Sequence, residues 1–133
     1  REQIVQGIEA HDLSIEVLSP VTEHAASDEV GVAILGDEEK NFWKDHKAAK
    51  INRLRIGTSI EQADIVVVKF GDQYKQWNAA FEAGYAVAMG KSLITLHEPE
   101  LTHPLKEVDA LAMAVTETPA QVVEILKYVI TQK

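Results

Sequence analysis

Apolar positions recur along the chain with two periods, about 3.6 residues and about 2, and the switches between them divide it into elements. Ile4, Val5 and Ile8 lie at helical spacing with Glu2, Gln6 and Glu9 opposite them, which predicts an amphipathic helix over Arg1 to His11. Ser14 to Leu18 alternates as a strand does, and Ser19-Pro20 ends it because proline removes a ladder donor. Val21 to Asp28 is polar and turn-like, and Glu29 to Leu35 holds a short helix that Gly36 stops. Asn41 to Gln62 predicts a long helix interrupted at Gly57-Thr58-Ser59, offering Phe42, Ala49, Ile51, Leu54 and Ile60 to a core.

The stretch from Ala63 to Leu96, ADIVVVKFGDQYKQWNAAFEAGYAVAMGKSLITL, organises the remainder. Ile65 to Phe70 and Leu93 to Leu96 are short β-branched runs of the kind buried on both faces, so the segment between them is a crossover helix joining parallel strands. His97 to Val108 is a loop around Pro99 and Pro104 with a helical turn from Pro104, and Ala112 to Val115 is a short edge strand. Thr118-Pro119 places an N-cap and a first-turn proline before a closing helix that presents Val122, Val123, Ile125, Leu126 and Val129 and ends at Thr131. The alternation specifies an α/β fold, a flavodoxin/Rossmann-like three-layer sandwich with a mostly parallel sheet. The chain opens on Arg1 directly in a helical pattern, so the fold's first strand is expected to precede this sequence. Ligands of such sheets bind at the carboxyl ends of the strands, and Gly71 to Asn78 follows one of them.

Composition narrows the function. A chain of 133 residues with 46% hydrophobic and 26% charged residues is one globular domain. It has no cysteine, which excludes thiolate chemistry and fits a cytoplasmic location. No run approaches the roughly 20 apolar residues of a membrane span. A net charge of −8 argues against a nucleic-acid polymer as partner. Six basic residues nevertheless fall together, Lys40, Lys44, Lys47, Lys50, Arg53 and Arg55, opposed by Asp45 alone. They read as a solvated helix face or, less often, as a place for a phosphate or an acidic neighbouring subunit. His11, His24, His46, His97 and His103 form no metal pair, and Gly36, Gly57, Gly71 and Gly90 form neither GxGxxG nor a P-loop, so no metal or cofactor is expected.

The crossover helix holds the candidate chemistry. Between Lys75 and Lys91 the one charged residue is Glu82. Asn78, one turn earlier, can cap the helix, and Tyr85 lies three residues later on the same side, so both can hydrogen-bond what the carboxylate attacks or deprotonates. The bland alternative is that Glu82 solubilises an outer face. Trp77 and Tyr74 can stack on a base or sugar or pack in the core, and Asp64 can cap a strand or touch a ligand. Ala79, Ala80, Ala83, Gly84, Ala86 and Ala88 make this helix apolar nearly all round, which asks for cover on both faces and predicts a homo-oligomer, a dimer or a tetramer.

Ala63-Asp64, Glu82-Ala83-Gly84-Tyr85-Ala86 and Gly90-Lys91 together resemble the nucleoside 2-deoxyribosyltransferase superfamily. SPVTEHAASD (Ser19 to Asp28), FWKDHKAAKIN (Phe42 to Asn52), FGDQYKQWNAA (Phe70 to Ala80) and LTHPLKEV (Leu101 to Val108) resemble more closely the YtoQ family of bacterial proteins, over nearly the whole chain. The resemblance implies Glu82 as the nucleophile that attacks the anomeric carbon of a nucleoside or nucleotide, through a glycosyl-enzyme intermediate resolved by water or another base. It implies substrate contacts at Asp64, Gly71, Gln76, Trp77, Asn78, Tyr85, Ser19 and Pro20. Two positions depart from the superfamily: no acid stands near Ile56 to Thr58, and Gln76 occupies a loop position that is often Asp or Ser. The expected function is transfer or hydrolysis of an N-glycosidic bond; the alternative is a non-catalytic module that binds or senses a nucleotide on the same fold.

Overall fold

The computed structural model describes residues 1–18, 24–36, 41–71 and 77–132, and of residues 24–28 and 41 the backbone alone. In chain order the elements are α1 (Glu2–Ala10), α2 (His24–Leu35), α3 (Asn41–Gln62), β1 (Ile65–Lys69), α4 (Trp77–Ala88), β2 (Ser92–Leu96), α5 (Lys106–Asp109), β3 (Ala114–Thr116) and α6 (Pro119–Thr131), with a 3-10 turn at Pro99–Leu101. They fall into two compact units, Arg1–Val17 with Ala63–Lys133, and Leu18–Gln62.

The first unit carries a parallel three-stranded sheet in the order β1-β2-β3. Ile65 pairs with Ser92 and Lys69 with Leu96 in one ladder, and Ile94 pairs with Ala114 in the other. Successive side chains of a strand point to opposite faces, and β2 feeds two cores accordingly. Ile94 and Leu96 join Ile8, Val122 and Leu126 beneath α1 and α6. Leu93 joins Val68, Phe70 and Ala83 beneath α4, with Leu101, Leu105 and Val108 closing that side. The unit is therefore the mixed α/β, Rossmann/flavodoxin-like arrangement that the hydrophobic pattern predicts. Burial on both faces belongs to β2; β1 is only half-buried from Ile65 to Val67 because among the described residues it pairs along one edge.

Local chemistry sets the ends of the elements. Thr118 closes a full capping box at the start of α6: its hydroxyl accepts from the Gln121 amide at 3.3 Å, and the Gln121 side chain accepts from the Thr118 amide at 3.3 Å. Gly36 ends α2 with φ +90°, a backbone state that side chains rarely adopt. β3 lies slightly later than the predicted Ala112 to Val115.

Four expectations are corrected. Ser14 to Leu18 is not a strand: the segment turns back on local bonds, Leu13 N–H to Ile8 O and Ile15 N–H to Leu13 O, while Leu13 and Ile15 pack on the α1–α6 side. Alternation describes an extended chain, but a strand also needs a ladder partner. His24 to Asp28 is helical, extending α2 backwards through Ala25 and Ala26, both strong helix formers; Val21 to Glu23 lie outside the described residues. α3 runs through Gly57 unbroken, because the Arg53 guanidinium fills the space a Cβ would occupy there and the Thr58 hydroxyl bonds back to Leu54 O at 2.9 Å. Phe42, Ala49 and Leu54 are exposed, whereas Ala48 and Ile60 are buried, since Gly31 of α2 sits directly on the backbone of Lys47 and Ala48 and turns that line of α3 inward.

Where α1 meets α6, a Cβ on Gly7 would come within 2.6 Å of a Val123 methyl. Helix propensity favours alanine over glycine by up to about 1 kcal/mol, but overpacking against a stiff β-branched side chain costs about 1–3 kcal/mol, so the clash decides. Gly7→Ala is expected to lower the stability measured by urea denaturation. Thr118→Ala, which removes the cap without touching the core, is expected to cost about 1 kcal/mol in the same measurement.

Candidate functional site

α4 turns about 100° per residue, which fixes what can share a side with Glu82. Ala83 and Ala86 are buried against the sheet. Glu82 is half-buried on the flank next to them, with Asn78 four residues before and Tyr85 three after on the same flank. α4 begins at Trp77, so Asn78 lies inside the first turn and is not the residue preceding it. Glu82 is thus in the second turn, where the positive end of the helix dipole has largely faded. Among the described residues no hydrogen bond or ion pair reaches its carboxylate. Burial pushes its pKa up from the ordinary glutamate value, because desolvation disfavours the charged form and no partner compensates.

The other candidate residues are dispersed. Trp77, five residues before Glu82, lies about 140° round α4 and is exposed. Gly71 follows β1 at the carboxyl end of the sheet and Asp64 precedes β1 at the opposite end, the length of the strand away. Gln76, Ser19, Pro20 and Tyr74 lie outside the described residues. Two cavities of the first unit are lined by other side chains. One, of about 190 Å³, is an apolar groove between α4 and α5 flanked by Ala80, Gly84, Val87 and Leu111. The other, of about 460 Å³, lies by Val115, Thr116, Gln121 and Glu124. In the second unit Lys44 pairs with Glu29, the Lys47 ammonium donates to Gly36 O at 3.2 Å, and the Arg55 guanidinium donates to Asn52 Oδ1 at 3.3 Å. Much of the basic cluster is thus engaged within its own helices, and Lys40 lies outside the described residues.

Sequence reasoning missed a charged network at the carboxyl end of β2. His97 follows the strand and is 3% exposed. Its Nδ1 faces Glu98 O at 2.8 Å and its Nε2 faces Asp109 Oδ2 at 2.7 Å, while Asp109 Oδ1 accepts from the Thr95 hydroxyl at 2.8 Å. A neutral imidazole has one N–H, yet both ring nitrogens here meet oxygen acceptors, so the geometry suits imidazolium. Burial alone would lower the pKa; the Glu98 carbonyl, the Asp109 carboxylate and the more distant charge of Glu117 override it and raise it. Nothing in the spacing of His97 and Asp109 marks them as partners, because α5 reaches β2 only through the fold.

Both raised pKa values have the same sign in the pH dependence of stability. For each group the folded state holds its proton more tightly than the unfolded chain. The stabilisation is fully present below the unfolded-state pKa and is lost as pH rises through the raised value. For His97 the loss begins above about pH 6.5, the usual imidazole value, and in the pair-broken variant His97→Ala about 3 kcal/mol should disappear near neutral pH, since Asp109 loses its counter-charge. For Glu82 the ionised carboxylate is a net cost at neutral pH, so Glu82→Gln should melt higher than wild type at pH 7, with the difference shrinking towards pH 4. Thermal melts across pH 4 to 8 test both.

The comparisons with known proteins bear on the whole chain. The family model described as nucleoside 2-deoxyribosyltransferase YtoQ matches residues 1–130. A Bacillus subtilis (strain 168) protein, described as uncharacterized protein YtoQ, is 39% identical over 128 residues, covering 96% of this chain and 86% of its own. Both the family model and that relative run through the helix that carries Glu82. The chain belongs to the nucleoside 2-deoxyribosyltransferase YtoQ family.

Proposed function

We propose that this protein cleaves the N-glycosidic bond of a nucleoside or nucleotide, with Glu82 as the nucleophile. The observation that carries the reading is the carboxylate itself: the one charge on α4, half-buried, unengaged among the described residues, and at the glutamate of the Glu-Ala-Gly-Tyr-Ala motif. A desolvated, uncompensated carboxylate is more basic and more nucleophilic than a solvated one. One Glu82 oxygen attacks the anomeric carbon as the C–N bond breaks; the base leaves with the bonding pair and takes up a proton. Water or a second base then attacks the same carbon and releases the carboxylate, with net retention. Asn78 and Tyr85, on the same flank, are placed to hydrogen-bond the sugar.

The reading extends to the setting. The family match spans both compact units, which supports one domain over residues 1–133. The cysteine-free, acidic composition supports a cytoplasmic protein acting on small molecules and not on a nucleic-acid polymer. Among the described residues no helix is long and apolar enough to cross a membrane. The exposed outer face of α4 supports a homodimer or homotetramer. A nucleotide-binding module without turnover is the competing reading, favoured by the placement of both cavities on sides other than that of Glu82.

Base release from a panel of deoxynucleosides and their 5′-monophosphates decides between them. Wild type is expected to release base from at least one, and Glu82→Ala and Glu82→Gln to lose at least about a thousandfold in rate, as when other nucleophiles are removed. A Glu82→Gln variant with wild-type turnover would sink the nucleophile assignment. Calorimetric binding of a nucleotide that wild type never consumes would establish the binding module instead.

A further inference from the structure

Between β2 and β3 the chain leaves the sheet after His97 and returns to it at Met113. At those two points the backbone is bonded to the strands: the His97 amide donates to Thr116 O at 3.0 Å and the Met113 amide to Leu93 O at 2.8 Å. Within residues 98–112 the backbone bonds run from one part of the excursion to another, as in Leu105 N–H to Leu101 O, Asp109 N–H to Leu105 O and Ala112 N–H to Asp109 O. Among the described residues none of them reaches a strand. The excursion is therefore held down by side chains, in two ways. Leu101, Leu105, Val108 and Ala112 pack on the core beneath α4. The polar tie is the Asp109 carboxylate, which accepts from the Thr95 hydroxyl at 2.8 Å and faces His97 Nε2 at 2.7 Å.

We propose that residues 98–112 form a flap latched to the sheet by imidazolium at His97, and that loss of one ring proton releases it. The count of donors makes the latch depend on charge. Imidazolium has two N–H groups for the two oxygens that face it, Glu98 O and Asp109 Oδ2. Neutral imidazole has one, so whichever nitrogen keeps it, the other turns a lone pair towards an oxygen at 2.7 or 2.8 Å. Either way the Asp109 carboxylate loses its counter-charge while it is largely removed from water. A carboxylate in that position is costly, and lifting the flap restores its hydration against only the Thr95 hydroxyl and the apolar contacts. The charges acting on the ring are both acidic, Asp109 from α5 and Glu117 after β3; its other polar neighbours, the carbonyls of Glu98 and Thr116, are neutral. Burial by itself favours the neutral ring, and the Glu98 carbonyl with the two carboxylates overrides it. Once released, α5 is a single turn of four residues, too short to persist off the sheet, so release is local unfolding. It uncovers part of the core that Ala83 of α4 shares with Val68, Phe70 and Leu93.

Amide hydrogen exchange and the His97 ring titration, followed together by NMR from about pH 6 to about pH 9, test the latch, with exchange rates corrected for their intrinsic pH dependence. His97→Gln identifies the ring signal among the five histidines by its disappearance. The ring is expected to be doubly protonated at the low end. As it loses a proton, protection of the Asp109, Ala110 and Ala112 amides should fall at least about tenfold. These amides should exchange faster than those of β2 throughout and respond little to sub-denaturing urea, as a local opening does. Glu117→Gln removes the exposed, more distant charge and leaves the latch in place, so it should move the ring midpoint and the loss of protection to lower pH together. A ring already neutral at the low end, or protonated throughout, overturns the proposal. Flap amides that keep their protection through the titration, or that exchange only with β2 in global unfolding, overturn it as well, and so does a Glu117→Gln variant in which the two midpoints part.

Discussion

The sheet unit depends on β2 being hydrogen-bonded along both edges and covered on both faces. A strand in that position has no solvent-facing side, so Leu93, Ile94 and Leu96 are all buried and divided between two cores. Its ladders are parallel, and a parallel neighbour can be reached only by a crossover that lies on the sheet. α4 is that crossover. Its small residues Ala83 and Ala86 are buried, and Glu82, directly before Ala83, is half-buried beside them. The pKa of Glu82 is raised by burial, with no neighbouring charge involved.

The same strand end shows the opposite way of burying charge. Asp109 also lies against the sheet, but it meets His97 and the Thr95 hydroxyl, and His97 in turn satisfies the Glu98 carbonyl. Every polar atom of that network has a partner, and its effect is to hold the short helix α5 onto β2. Glu82 has burial without satisfaction. Buried polar groups left uncompensated are costly and therefore uncommon, and they concentrate where chemistry is done. The contrast within one unit is between a carboxylate with its hydrogen-bond partners in place and one with none among the described residues. It also explains why the basic residues of α3 carry less functional weight than their number suggests: Lys44, Lys47 and Arg55 already serve local contacts.

Membership of the YtoQ family rests on the whole chain, and the local physics of Glu82 is a separate observation. The family match establishes the class of protein, and the described geometry half-buries the glutamate of the Glu-Ala-Gly-Tyr-Ala stretch. Glu82 and Gly84 are two residues apart on one helix and project to different sides, Glu82 half-buried and Gly84 exposed.

How much was legible in the sequence follows from the range of the interactions concerned. Helices α1 and α6, the strands β1 and β2 and the crossover between them were readable because periodicity, capping and β-branched runs are properties of neighbouring residues. So was the isolation of Glu82, since an absence of charge along a helix needs no fold to be seen. The continuity of α3 through Gly57, the exposure of Phe42 and Leu54, and the failure of Ser14 to Leu18 to become a strand were decided by contacts with other segments. The His97–Asp109 pair lies in the same class: twelve residues separate its members, and only the docking of α5 against β2 brings their charges together. The sequence by itself determined that the crossover helix carries a single charged group, Glu82. The tertiary structure alone decided how far that group is desolvated and which faces remain exposed, because burial depends on what the rest of the chain places around it.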